Sequence, residues 1–297
     1  ADMDGDGDLD IITASSGDDT IAWYENDGNA NPSWTASDIS NNADGARGVH
    51  VADLDNDGDL DIVSASQNDN KISWYESNSA DINLSNEAKA GVDYSESSGT
   101  VTITAGQTEG TFTVPIIADN QPENNEKITI TITNNSLGTI SESTGTLTIT
   151  DDDALSFTAS DISTNASFVT NVGAADIDGD GDIDLVAALN IGDNGNKYVW
   201  YENDGAANPS FTGNSITTNA DGVYEVYVSD MDNDGDLDIV SASSNDNKIA
   251  WYENNGAADP TFSASTIATT AQGATDVSLA DMDNDGDIDI VSSSFQD

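Results

Sequence analysis

Nine residues, Asp53-Leu54-Asp55-Asn56-Asp57-Gly58-Asp59-Leu60-Asp61, place a carboxylate at every odd position and a glycine at the sixth. The pattern begins again at Asp2, Asp176, Asp230 and Asp281. Two like charges about 4 Å apart repel by roughly 4 kcal/mol at an effective dielectric near 20, so such a loop calls for a counter-ion. Hard carboxylate oxygens with no Cys or His select a hard cation, and a flexible loop rich in oxygens suits Ca²⁺ better than Mg²⁺. Gly58 allows the tight turn that folds the loop back on an ion. The expected ligands are the side chains of Asp53, Asp55, Asp57 and Asp61, with Asp59 giving its backbone carbonyl. The same reading makes candidates of Asp2, Asp4, Asp6, Asp8 and Asp10, of Asp176, Asp178, Asp180, Asp182 and Asp184, of Asp230, Asp232, Asp234, Asp236 and Asp238, and of Asp281, Asp283, Asp285, Asp287 and Asp289.

An EF-hand loop is the nearest rival, and it needs a bidentate Glu at position twelve and flanking helices. Position twelve here is Thr13, Ser64, Ala187, Ser241 or Ser292, and a β-type run such as Ile62-Val63-Ser64-Ala65-Ser66 follows. The EF-hand is excluded.

The loops hold nearly half of the 56 acidic residues, which face six Lys and Arg for a net charge of −50. Five Ca²⁺ would bring this only to about −40, which argues against nucleic acid and anionic membrane as partners. Such charge can signal disorder, but here the acids are periodic and alternate with strand-like runs of Ile, Val, Trp and Tyr. There is no cysteine and no apolar run long enough to insert in a membrane. Loops of this kind bind Ca²⁺ at the roughly 10⁻⁴–10⁻³ M levels found outside cells, so an extracellular protein is expected. No signal peptide precedes the first loop, which leads us to expect a piece of a longer precursor.

The loop starts are separated by 51, 123, 54 and 51 residues. Each loop runs into an apolar strand (Leu9 to Ala14, Leu60 to Ala65, Ile183 to Ala188, Leu237 to Ala242, Ile288 to Ser292). A second strand ends in Trp23-Tyr24-Glu25, Trp74-Tyr75-Glu76, Trp200-Tyr201-Glu202 or Trp251-Tyr252-Glu253. A third lies around Trp34, Phe157, Phe211 or Phe262, and a fourth leads into the next loop, as in Gly48 to Ala52 or Tyr224 to Val228. Four short strands per repeat of about fifty residues read as all-β propeller blades, each loop joining the first and second strands of its blade. The chain starts and stops inside such a unit. Either it is a fragment, or open blade edges pair with further copies head to tail as a filament.

Asp-x-Asp-x-Asp-Gly-x-x-Asp between two strands, once per blade, resembles the FG-GAP/VCBS repeats of integrin-α-type propellers. The variant with Asp-Gly-Asp-Leu-Asp-Ile-Val and Trp-Tyr-Glu is similar to secreted bacterial surface proteins. The resemblance covers about 1–77 and 155–297. It implies a calcium-binding propeller in adhesion or surface structure.

Register resumes at Phe157, which precedes Asp176 as Trp34 precedes Asp53, so residues 78–154 are an insertion. Gly99 to Ile103, Gly110 to Val114, Lys127 to Thr133 and Gly145 to Thr150 alternate with period two and predict an antiparallel β-sandwich. Gly91-Val92-Asp93-Tyr94, Pro115 to Asp119, Glu123 with Glu126, and Thr148 to Asp153 resemble a Calx-β domain. That resemblance implies Asp93, Asp119, Glu123, Asp151, Asp152 and Asp153 as further Ca²⁺ ligands.

The Trp-Tyr-Glu triplets predict one ring of each pair in the core and the other at a blade seam, since successive residues alternate faces. His50, the single histidine, aligns with Tyr227 and reads as a packing variant. With no Cys and one His, acyl and phosphoryl transfer lack their usual parts, so no enzyme is expected. The rival reading is a lectin holding sugars between blades, and third is a polysaccharide-degrading module. Expected partners are other surface proteins, glycans or further copies of the chain.

Overall fold

A computed structural model describes residues 1–78, 87–118, 125–133, 140, 142–150, 155–190, 197–217 and 220–295. Every regular element among them is a β-strand. The chain divides into two compact units: one holds Ala1, Asp8–Ser77 and Ser156–Asp297, the other Asp2–Gly7 and Asn78–Leu155.

In the first unit β1 (Ile11–Ser15), β2 (Thr20–Asn26) and β3 (Trp34–Ser40) form an antiparallel sheet. The next sheet takes β4 (Ala46–Ala52), β5 (Asp61–Ser66) and β6 (Lys71–Ser77). Its fourth strand comes from beyond the insertion: after β7 (Glu126–Thr131) and β8 (Thr144–Ile149), β9 (Phe157–Ser163) pairs with β6. Lys71 Nζ holds Asp161 across that pairing at 3.1 Å, and the Ser73 hydroxyl donates to Asp161 at 3.2 Å. Two further four-stranded sheets follow in simple order. The first is β10 (Val169–Ala175), β11 (Asp184–Leu189), β12 (Lys197–Asn203) and β13 (Phe211–Thr217). The second is β14 (Val223–Ser229), β15 (Asp238–Ser243), β16 (Lys248–Asn254) and β17 (Phe262–Ala268). β18 (Ala274–Ala280) and β19 (Asp289–Ser294) pair as a two-stranded sheet.

Each Asp loop from 53–61 onward thus connects the first strand of a sheet to the second. The second strands β5, β11 and β15 are buried along their whole length, although they read Asp-Ile-Val-Ser-Ala-Ser or Asp-Leu-Val-Ala-Ala-Leu. Small and β-branched side chains suit a strand covered on both faces.

The cores lie between consecutive sheets. Leu54, Val63, Ile72 and Trp74 pack with Val172, Leu185, Val199 and Tyr201. Val186, Tyr198 and Trp200 pack with Val226, Ile239 and Tyr252, where the Tyr198 and Tyr252 rings stand 5.8 Å apart. The two aromatic residues of a triplet therefore divide differently from the expectation of one core ring and one seam ring. Trp200 faces the following sheet and Tyr201 the preceding one. Both are core, because in stacked sheets the seams are the core. His50 shares its face of β4 with the buried Gly48 and with Ala52, which packs on the core; its side chain is exposed, yet partial burial holds its imidazole below the ordinary value.

In the second unit, the two described strands β7 and β8 pair in register from Glu126↔Ile149 to Thr131↔Thr144. Residues 99–103 and 110–114, expected as sandwich strands, carry no ladder. Val101 and Ile103 are 44% and 55% exposed, so their alternation has no second face to bury against. Isolated bridges link Tyr94 to Ile116 and Glu87 to Lys127.

Candidate metal centres

The loop backbone is fixed by two left-handed residues. Position six is glycine with φ near +100° in every copy (Gly7, Gly58, Gly181, Gly235, Gly286). Position four is also left-handed and holds only Gly or Asn, such as Asn56 at φ 58° and Gly179 at φ 75°. These are the residues that tolerate that region. The turn aims N–H groups inward: Asp57 and Gly58 donate to the two oxygens of Asp53 at 3.2 and 3.1 Å, and Asp59 donates to Asp57 at 3.2 Å. Asp230 and Asp281 receive the same pair of bonds.

The first, third and fifth carboxylates converge as a result. One oxygen from each of Asp53, Asp55 and Asp57 lies within 4.8 Å of the others, and so for Asp2/Asp4/Asp6, Asp230/Asp232/Asp234 and Asp281/Asp283/Asp285. At 176–184 the group is Asp176, Asp178 and Asp184, which brings in the ninth position.

That ninth aspartate also serves as a clamp. Asp61 accepts from Leu54 N–H at 3.1 Å and Ser77 N–H at 2.9 Å. Asp184 takes Ile177 and Asn203 N–H, and Asp238 takes Met231 and Asn254 N–H. It ties the loop entrance to the end of the Trp-Tyr-Glu strand, whose indole stands beside it. Burial pushes Asp61 up to about 7, against the pull of the Ser77 and Leu54 N–H groups and the Trp74 side chain. Burial likewise takes Asp184 to about 6 and raises Asp238.

The seventh aspartates differ among copies. The Asp182 carboxylate sits 2.0 Å from where a Cβ on Gly205 would lie, and Asp8 and Asp236 occupy the matching space over Gly28 and Gly256. Asp59 is 1% exposed, and neither carboxylate oxygen meets a hydrogen-bond donor. Burial first and the Asp57 charge second push it up to about 8. Asp55, with one oxygen similarly orphaned, is raised to about 6 by burial and then by Asp57. Orphaned, buried, hard oxygens beside a carboxylate triad are what a divalent cation satisfies. The residues fit Ca²⁺.

In the second unit Asp93 is 6% exposed and its carboxylate accepts Lys89 N–H. Asp119, Glu123, Asp151, Asp152 and Asp153 lie outside the described residues.

The asparagine that follows the triplet has no part in the sequence reading, yet it is a main tie of the site. Asn203 and Asn254 are each 2% exposed. Their Nδ2 groups reach the carbonyl of their own loop (Ile183, Leu237) and also that of the preceding sheet's loop (Leu54 at 2.8 Å, Ile177 at 2.9 Å). Its signal was available: Asn26, Asn203 and Asn254 recur in register, with Ser77 in the remaining copy.

Sheet after sheet with one aspartate loop apiece defines an all-β repeat protein with repeated acidic centres. Residues 2–64, 176–241 and 230–292 match the FG-GAP-like repeat, together more than half of the chain, which belongs to that family. Residues 59–153 match the Calx-beta domain. That match begins within the second loop, while β5 and β6 belong to a repeat sheet. Comparison with curated proteins finds no match. FG-GAP and Calx-beta domains are typically non-catalytic and typical of extracellular or surface proteins, and Calx-beta domains are known to bind calcium. Among the described residues no helix is long and apolar enough to cross a membrane.

Proposed function

We propose that this chain is a non-enzymatic, calcium-binding extracellular protein of adhesion or of surface or fibre structure, its sheets serving as β-propeller blades. One observation carries the reading: a triad of carboxylates recurs in the same nine-residue loop, ahead of the same strand, five times. Bound Ca²⁺ would supply positive charge that offsets the repulsion among these carboxylates. The chain's own part is to hold the first and fifth carboxylates by loop N–H groups and to anchor the ninth on two strands. A folded state that needs the ion gains stability with its free concentration, about 2.7 kcal/mol per site at one hundred times Kd. The second unit is proposed as a further calcium site on the strength of the resemblance, with Asp93, Asp119, Glu123 and Asp151 to Asp153 as its candidate ligands. Partners are other surface proteins, glycans or copies of the same chain.

The test is thermal unfolding in millimolar calcium and in excess chelator. A fall in Tm of order 10 °C or more is expected; an unchanged Tm would end the structural role given to the loops.

A carbohydrate-binding reading keeps one foothold. A cavity of about 270 Å³ is lined by Trp200, Asn214, Ser215, Ile216, Pro260, Thr261 and Phe262, mixing aromatic and hydrogen-bonding groups. The triplets themselves offer little to a sugar, since Trp74, Trp200, Tyr75 and Tyr252 are less than 5% exposed. Specific hits on a glycan array would move the balance to this reading.

A further inference from the structure

Buried hydrogen bonds run without a break from one acidic loop to the next. Asp61 accepts Leu54 N–H at 3.1 Å, and the Leu54 carbonyl accepts the Asn203 side chain at 2.8 Å. Asn203 N–H donates to Asp184 at 2.8 Å, and Asp184 accepts Ile177 N–H at 3.1 Å. The Ile177 carbonyl accepts Asn254 Nδ2 at 2.9 Å; Asn254 N–H donates to Asp238 at 2.7 Å, and Asp238 accepts Met231 N–H at 3.2 Å. Beside this relay, Asn56 at position four of its loop donates to Asp182 at position seven of the next at 2.6 Å.

Two properties make the relay more than packing. Both asparagines use their backbone on their own loop's ninth aspartate and their side chain on the preceding loop, so neither loop can shift without moving the other's clamp. Leu54 and Ile177, the residues pinned on both sides, also fill the seams between sheets and are 0% and 2% exposed. In a close-packed seam such a residue moves between discrete arrangements and does not drift.

We propose that Asn203 and Asn254 couple the loops at 53–61, 176–184 and 230–238, so that these three load cations as one cooperative set. The inference rests on the calcium reading above. Ordering one loop fixes its ninth aspartate, which fixes the asparagine, which fixes the carbonyl at the entrance of the preceding loop. Part of the ordering cost of the second ion is then met by the first, which is positive cooperativity. Asn203 and Asn254 are positioning residues here.

The experiment is a calcium titration of the full chain by calorimetry, with bound ions counted by elemental analysis. The wild type should show a steep transition with a Hill coefficient above 1. Asn203→Ala should flatten it and weaken binding several-fold while the number of ions bound stays the same. Asn56→Gly, which puts at this exposed left-handed position the residue found at Gly5 and Gly179, should flatten it less and fold normally. If Asn203→Ala fails to fold, Asn203→Ser, which places there the residue found at the matching Ser77, decides instead. Independent sites in the wild type, or unaltered steepness in the folded variants, would overturn the coupling while leaving the calcium reading intact. No bound calcium at all would overturn the calcium reading itself.

Discussion

The loops at 53–61 and 281–289 have one pattern and one backbone but different surroundings. Asn56 and Asn284 share φ near +60°, Gly58 and Gly286 share φ near +100°, and the bonds to Asp53 and Asp281 match. Yet Leu54 is fully buried and Met282 is 62% exposed, while Asp59 and Asp61 are buried and Asp287 is open to solvent. The cup is therefore a local property, set by residues within nine positions. What its charges cost is set by the neighbouring sheet.

The largest break in this comparison is expected from removing the clamp. Asp61→Ala strands two buried N–H groups and should cost about 3 kcal/mol in calcium, whereas Asp289→Ala should cost under about 1 kcal/mol. Chemical denaturation of both variants checks it. Equal losses would show that burial does not separate the two loops.

Next in size is a dependence on pH that changes sign with the ion. Asp61 sits at about 7 and Asp59 at about 8 in the folded chain, both above the ordinary value of 3.8. The folded state then binds protons more tightly than the unfolded one, so stability in chelator is highest in acid and falls as pH rises from about 4 to about 8. With calcium present protons compete with the ion, and stability should rise over the same range. Asp59→Asn should flatten the upper part of the chelator profile. A chelated protein that gains stability between about pH 4 and 7 would refute the assignment.

The smallest effect sharpens the comparison at the seventh aspartate. Gly205 has φ +65° and the Asp182 carboxylate fills its Cβ space. Gly205→Ala should therefore cost about 1–2 kcal/mol, measured by the same denaturation. Gly17, with open space at its Cβ, should accept alanine with little change.

Much of the first unit was legible because each element recurs. A strand read once as Leu60 to Ala65 is read again at Leu237, and the glycine at position six marks the turn in every copy. What escaped were relations between repeats. A period-two pattern puts Trp200 and Tyr201 on opposite faces but does not tell that a neighbouring sheet covers each face, or that Asn203 reaches a loop far away in sequence. The unrepeated insertion had no second copy to correct it, and alternation at 99–103 predicted a strand where the chain forms no ladder. The burial of the Asp59 side chain likewise comes from packing that the loop's own sequence does not encode.

The pairing of β6 with β9 bears on how fast the molecule reaches its native state. Elsewhere the third and fourth strands of a sheet meet across a short connection, as from Asn203 to Phe211; here they meet from Ser77 to Phe157. A flexible connection about ten times longer raises the entropy of closure by about 2 kcal/mol. Non-local pairings of this kind slow folding. The sheet that the insertion interrupts is therefore expected to close late, after the sheets whose strands are joined by short turns.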